Sequence, residues 1–364
     1  MRFKWLFILF PLLLQAAYPE FYIWQRKYTP NVERGIIEAN KSGCPKFYFI
    51  AGELENSGKT VAVKPAYPDW ISHKVTPVIR IHIKHLSTPA AKLAQQILKL
   101  YTPWQKCRSL QIDLDAPESK IAYYTALMKE LKKLLPDTEL SATVLPCHLR
   151  HKKEFLQLAE VCDFYVLQIH GLEKRSGKWS ILDRRTALNA IVRAVNYKQK
   201  FKIAVPLYSH NINGITVKPD IELVGNICRF AQQNDIGIII FRLGIPGDSE
   251  TLSEYTTMNI WRNRYSPRID HVWIQSDNGA WHLYIRNFGY FPEKLTLQLK
   301  WNAGFYISDA DTFNGAKLSF DRKTLTLTLP PDGEEKAILW LRTPAPFDEA
   351  NSPLTITGKE IIVK

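Results

Sequence analysis

Two aspartates, Asp113 and Asp115, stand in the run Gln111-Ile112-Asp113-Leu114-Asp115, where polar and apolar residues alternate. That period marks a half-buried strand with both carboxyls on one face. A rise of 3.3–3.4 Å per residue sets them about 7 Å apart. Two like charges in one cleft raise one pKa, so the pair can hold a proton donor near neutrality beside a carboxylate. Glycosidic bond cleavage needs such a combination: a protonated carboxyl for the leaving oxygen and a second group for the oxocarbenium-like centre. Asp115, nearer the strand end, is the expected acid. Asp113, deeper and beside Arg80, is the expected ionised partner, and Glu53 is the alternative second carboxylate.

The same alternation sorts the neighbouring segments. Arg80, His82 and Lys84 oppose Ile79, Ile81 and Ile83, and Glu53 shares a face with Phe47, Phe49 and Ala51. Ser141 and Thr143 fall on the polar side of the next segment, then Gln168 and His170; Tyr208, His210 and Arg242 close the last two. With Tyr22 and Trp24 from the first segment, these supply candidate substrate contacts: Trp24, Arg80, His82, Gln111, Gln168, His170, Tyr208 and Arg242. Aromatic faces stack on sugar rings, and Tyr208 and Gln168 can hydrogen-bond a sugar or an acetamido group. The competing reading is structural, with Arg80 and His82 neutralising Asp113 and Asp115. A metal hydrolase built on His82, His170, His210 and Asp115 lacks HxH or HExxH spacing, so neither metal nor cofactor is expected.

These residues need a frame. Strands are expected at 20–25, 46–53, 77–83, 109–115, 139–145, 163–169, 201–208 and 236–242, with helices at 31–41, 89–100, 119–135, 150–161, 184–198 and 219–233. Eight strands alternating with helices over roughly 225 residues predict a closed (β/α)8 TIM barrel. Polar residues gather toward the strand C-termini, where active sites of such barrels lie. After Pro267 come short alternating runs at 270–275, 280–287, 294–301, 316–320, 324–329, 336–342 and 354–363, separated by turn signals such as Asn314-Gly315. These predict a C-terminal β-sandwich, in which Trp273, Trp281, Tyr284, Trp301, Tyr306 and Trp340 are read as core rather than as a carbohydrate-binding face. The expected divisions are 1–17, 18–262 for the barrel and 268–364 for the sandwich, with a linker at 262–268.

The chain is 364 residues long, 46% hydrophobic and 23% charged, which excludes a disordered chain and a multi-span membrane protein. Arg2 and Lys4 precede an apolar run from Trp5 to Leu14, then Gln15-Ala16-Ala17. This composes a secretory signal cleaved near Ala17, implying export to the periplasm or beyond, with an uncleaved inner-membrane anchor as the alternative. Nothing later is long and apolar enough for a span. The net charge of +13 favours anionic partners, an anionic polysaccharide among them. No nucleic-acid-binding motif accompanies it. The five cysteines include no CxxC pair, so most are expected to be buried small hydrophobes.

The stretches Tyr22-Ile23-Trp24-Gln25-Arg26, Ala51-Gly52-Glu53-Leu54, Gln111 to Asp115, Leu140 to Pro146, Val166 to His170 and Val205 to Tyr208 resemble, in order, an uncharacterised bacterial family, domain-of-unknown-function 3142. The resemblance covers about residues 20–245 and implies a glycosidase-like barrel. More remotely the barrel is similar to chitinase-type glycoside hydrolases, whose fourth strand ends in DxDxE. Asp113 and Asp115 match both Asp positions, but Pro117 stands where the catalytic Glu falls, with Glu118 one residue later. Two functions remain open. One is an exported glycoside hydrolase-like protein acting on a cell-envelope or extracellular polysaccharide; the other is a non-catalytic glycan-binding or envelope-interaction protein.

Overall fold

The computed structural model describes residues 18–65, 67, 69–175, 177–245, 248, 250–252, 254–262, 269–276, 280–287, 293–299, 307–329, 335–342 and 354–355. Residues 1–17 and most of the expected linker lie outside that set. Eight parallel strands form a barrel: β1 (Glu20–Ile23), β2 (Phe47–Leu54), β3 (Val75–Ile81), β4 (Ser109–Leu114), β5 (Glu139–Val144), β6 (Phe164–Gln168), β7 (Phe201–Pro206) and β8 (Gly237–Phe241). It closes because β1 pairs with both β2 and β8.

Among the described residues seven helices follow the strands: α1 (Pro30–Lys41), α2 (Ala90–Tyr101), α3 (Ile121–Leu134), α4 (Lys152–Val161), α5 (Arg184–Tyr197), α6 (Ile221–Gln233) and α7 (Glu254–Trp261). Their starts are written in the sequence. Thr29 accepts from the Val32 amide ahead of Pro30, and Asp183 and Asp220 accept from Thr186 and Leu223 at 2.8 and 2.9 Å. Between β2 and β3 the crossover is instead a short antiparallel strand, Thr60–Ala62, and a 3-10 turn, Asp69–Lys74.

Outward strand residues such as Ile79, Ile112, Leu140 and Val205 pack with the helices into one core. The lumen is filled separately by Tyr22, Tyr48, Val78, Phe164, Val166, Ala204 and Ile239. Low in the barrel Lys202 binds both Glu20 oxygens, at 2.7 and 2.8 Å, and the Tyr48 hydroxyl donates to Glu20. The charges there cancel one another, as burial demands.

Strand β2 departs from simple alternation. Phe47, Phe49 and Ala51 face the helices, whereas Tyr48 fills the lumen, so the expected inward face is reversed along most of the strand. The register with β3 then slips between Ile50 and Gly52, leaving Ala51 as a bulge. One extra residue inverts the phase, and Glu53 is thereby carried inward beside Arg80. Gly52 suits the site: a Cβ there would meet Leu100 at 3.1 Å and the Val61 carbonyl at 3.2 Å.

The C-terminal region holds two four-stranded antiparallel sheets. Leu283, Ile285, Ile338, Leu339 and Leu341 of one share a core with Leu295, Leu297, Leu325 and Leu327 of the other, forming a β-sandwich. Trp281 packs against this core, but Tyr284 and Trp340 alternate with its members and point to the opposite face. The expectation of a core role fails for those two, because their strand phase is set by Ile285, Leu339 and Leu341. Trp301, Tyr306 and the side chain of Trp273 lie outside the described residues.

Candidate active site at the C-terminal end of the barrel

The mouth is built around β4. Gln111 is fully buried; its Oε1 accepts from the Tyr22 hydroxyl at 2.7 Å and its Nε2 donates to Ser141 at 3.3 Å. Both ends of the amide are thus used as a floor, and the expected substrate contact is withdrawn. One step up, Asp113 is 9% exposed and accepts a 2.9 Å hydrogen bond from the Thr143 hydroxyl. Burial first, then the charge of Asp115, push its carboxyl up to about 7. Asp115 itself stands exposed at the strand exit.

The expected division of roles is therefore turned round. Burial favours a proton on Asp113, and Asp115 is the side chain that solvent reaches. The error came from weighing height along the strand above desolvation, which is the larger effect.

Glu53, 4% exposed, is gripped by Arg26 through a hydrogen-bonded ion pair, with Arg80 Nη1 at 3.6 Å from its other oxygen. It is a buried charge already compensated by two half-exposed guanidinium groups, which suits an electrostatic support better than a proton donor. Arg80 lowers the Asp113 pKa from a distance but pairs with Glu53. The competing reading, in which Arg80 and His82 neutralise Asp113 and Asp115, does not hold, since Arg80 pairs with Glu53. His82 instead leaves the strand and caps a 3-10 turn, its Nδ1 accepting from the Lys84 amide at 3.2 Å. Arg242 turns to its own loop, bonding Asp248 at 2.9 Å and Glu250 at 3.3 Å.

Across the mouth lies an aromatic group. Trp24 and Phe241 meet at 5.2 Å between centroids, Phe241 and His170 at 5.0 Å, and Tyr208 and Phe241 at 5.4 Å. Tyr22 links this group to Gln111 and so to the floor beneath Asp113. Burial pushes Tyr208 up to about 12 and His170 down to about 3, so both stay neutral. Gln168 is half-buried at the end of β6, its Nε2 3.5 Å from the His170 carbonyl.

Sequence reasoning missed His148. Fully buried, it takes the Leu145 amide on Nδ1 at 3.2 Å and faces the Ala116 carbonyl with Nε2 at 2.6 Å. It pins the chain just past Asp115 to the loop after β5, and a lone histidine in a loop carries no pattern that announces this. Glu118 is bound by His151 at 2.9 Å and Arg150 at 3.5 Å, which hold its carboxyl below the ordinary range. The residue nearest the position of a chitinase-type acid is thus kept ionised and occupied. All five cysteines are free thiols, and among the described residues no three His, Cys, Asp or Glu side chains gather as a metal-binding group.

Residues 73–227, from just before β3 into α6, match the family model of a domain of unknown function, DUF3142. The match is narrower than the expected 20–245 and leaves out β1, β2 and β8. No curated protein matches the chain. Among solved structures, chitinase ChiA74 from Bacillus thuringiensis is similar at 8% identity, with 94% of this chain and 100% of that one covered and a TM-score of 0.45. Active domain 2 of a thermostable chitinase from Pyrococcus furiosus is similar at 11% identity, with 62% and 83% covered and a TM-score of 0.42. The xylanase and alpha-amylase inhibitor protein of Scadoxus multiflorus is similar at 12% identity, with 62% and 93% covered and a TM-score of 0.40.

Proposed function

We propose that this protein is an exported glycoside hydrolase-like enzyme acting on a cell-envelope or extracellular polysaccharide through Asp113 and Asp115. The observation that carries the reading is the carboxyl pair at the mouth: Asp113, buried, stands one strand step below exposed Asp115, with an aromatic group across the mouth. Burial and the neighbouring Asp115 raise the Asp113 pKa to about 7, which favours a proton there at mildly acidic to neutral pH. Asp115 touches the sugar. Across a gap of about 7 Å the proton held at Asp113 is relayed by solvent to Asp115 and on to the glycosidic oxygen as the C–O bond breaks, and the water that adds to the anomeric carbon returns one proton to the pair. Trp24 and Tyr208 stack or bond the ring. Export rests on the basic start, the apolar run and the small residues of the first 17 positions. Among the described residues no helix is long and apolar enough to cross a membrane.

One observation favours the second reading, a glycan-binding protein without catalysis: Glu53 and Glu118 are both paired with arginines. A single experiment separates the two. The protein, Asp115→Asn and Asp113→Asn are incubated with a panel of bacterial envelope and exopolysaccharides, and new reducing ends are counted. The hydrolase reading expects release by the native chain, about 100-fold or greater loss in each variant, and a rate that falls as pH rises through 7. Retention of polymer without release, equal in all three proteins, establishes the binding reading instead. Release that neither substitution affects removes the pair from the chemistry.

A further inference from the structure

Helix α5 turns mostly small residues inward and larger apolar ones outward. Its buried face is Ala187, Ala190, Ile191 and Ala194, whereas Leu188, Val192 and Val195 are 43%, 59% and 39% exposed. Spacings of four and three residues set these on one stripe. No other helix among the described residues exposes more than one large apolar side chain, and that one is Phe230 of α6. Arg184 reaches Asp220 at the head of α6 at 2.9 Å, so the stripe that begins one turn later runs along the flank of α5 nearest α6. Valine at an exposed helical position costs helix propensity and gains no packing in return. The folding of the barrel leaves this stripe unexplained.

The polar residues around it carry one sign. Between Asp183 and Asp220 the chain has no Asp or Glu. Arg184 is engaged by Asp220 and Lys202 by Glu20, but Arg185, Arg193, Lys198 and Lys200 are exposed and make no ion pair among the described residues. The flanking helices do not offset them: on their exposed faces Glu154 and Glu160 balance Lys152 and Lys153 of α4, and Glu222 balances Arg229 of α6.

An apolar stripe bordered by uncompensated Arg and Lys suits a bilayer interface, where the stripe meets the acyl boundary and the cations meet the headgroups. A soluble polyanion would satisfy the cations but leave Leu188, Val192 and Val195 in water. A two-fold dimer would bury the stripe but set the same cations against one another. We propose that α5 is a docking surface for an anionic lipid bilayer. It lies on the outer wall of the barrel, so docking leaves Asp113 and Asp115 open at the mouth, and the inference stands whether or not that mouth cleaves glycans.

The test places an environment-sensitive dye on Asn189→Cys, exposed beside the stripe, in the full chain carrying Cys147→Ser and Cys162→Ser, since Cys44, Cys107 and Cys228 are buried. Vesicles of phosphatidylglycerol and phosphatidylcholine in equal parts are expected to raise its emission at least twofold. Phosphatidylcholine alone is expected to leave it unchanged, as is either lipid with the dye on Ala126→Cys, exposed on α3. Tethering by the apolar run Trp5 to Leu14 alone would move neither dye. Near an anionic surface each basic side chain is worth about fivefold in affinity. Arg185→Gln/Arg193→Gln is therefore expected to cut the ratio of docked to free dye at least tenfold at fixed lipid, and Leu188→Gln/Val192→Gln likewise. All four residues are exposed, so both variants are expected to keep the parent's urea midpoint, which separates lost docking from misfolding. A dye at residue 189 that ignores anionic vesicles overturns the proposal. So does an equal response to phosphatidylcholine, an equal response at residue 126, or docking indifferent to either double variant. A response without lipid that grows with protein concentration assigns the stripe to a second copy and overturns it too.

Discussion

Asp113→Asn is expected to stabilise the protein while abolishing its chemistry. The substitution keeps the side-chain shape and leaves an oxygen to accept from Thr143, but removes the ionisable group. In the unfolded chain this carboxyl ionises near 3.8, and in the native barrel near 7. Below the lower value both states are protonated and the substitution changes nothing that varies with pH. Between the two, the unfolded chain is ionised and the native one is not, so native stability drains away as pH rises, by about 1.4 kcal/mol per unit. Above 7 the loss is complete. Three units at that slope come to about 4 kcal/mol, a large part of the 5–15 kcal/mol typical of a domain. Urea unfolding of both proteins at pH 4.5, 6.0, 7.0 and 8.5 measures it. The variant gains under about 1 kcal/mol at the first pH and about 4 at the last, the intrinsic difference between Asn and neutral Asp cancelling between them. Stability gained by deleting a side chain whose loss stops the reaction is the pattern of a strained functional group. Parallel pH profiles for the two proteins would refute the raised pKa and, with it, the proton on the pair.

Three further outcomes follow from the same geometry. Glu53→Gln strands only half-exposed Arg26 and Arg80 and is expected to cost about 1 kcal/mol, whereas Arg26→Ala/Arg80→Ala strands a buried carboxylate and costs about 3–5 kcal/mol; urea unfolding at pH 7 of both variants checks the order. His148→Ala removes two buried contacts that tie Ala116 to Leu145, and is expected to destabilise by about 2–4 kcal/mol and to open the chain after Asp115 to limited proteolysis at temperatures where the native protein resists. His170, held neutral by burial with a pKa of about 3, is expected to show no imidazole titration between pH 4.5 and 8 by NMR; a midpoint near 6.5 would show that water reaches it.

The barrel was legible because its strands and helices each obey a local rule. Ile79, Arg80 and Ile81 alternate as a strand must, and Thr29-Pro30, Asp183 and Asp220 announce helix starts through side chains that cap amides. What was not legible depended on distances between segments. The bulge at Ala51 leaves no mark in Phe47-Tyr48-Phe49-Ile50-Ala51-Gly52-Glu53, since aromatic and aliphatic residues suit either face; Glu53 points inward because of a register slip rather than by alternation. Gln111 looked available until Tyr22, 89 residues away, took its carbonyl oxygen. Arg242 looked open to a substrate until its own loop supplied Asp248 and Glu250. Type and face of a residue follow from its strand, but its partner follows from the closed fold.

That difference separates the polar lining into two kinds. Gln111, Glu53, Glu118 and the Glu20–Lys202 pair are buried or half-buried polar groups whose needs are met by neighbours, and such groups fix the barrel's geometry. Asp113 and His170 are not met in the same way. One is a carboxyl whose pKa burial raises to about 7, with a hydroxyl from Thr143 as its hydrogen-bond donor; the other is an imidazole nitrogen sealed from water without a hydrogen-bond partner among the described residues. Each costs stability that an apolar residue would not, and β4 and β6 carry them to the same end of the barrel. A structural account explains the first kind completely and the second not at all. The unmet groups, rather than the number of acidic residues at the mouth, are therefore where substitution should change chemistry more than it changes folding.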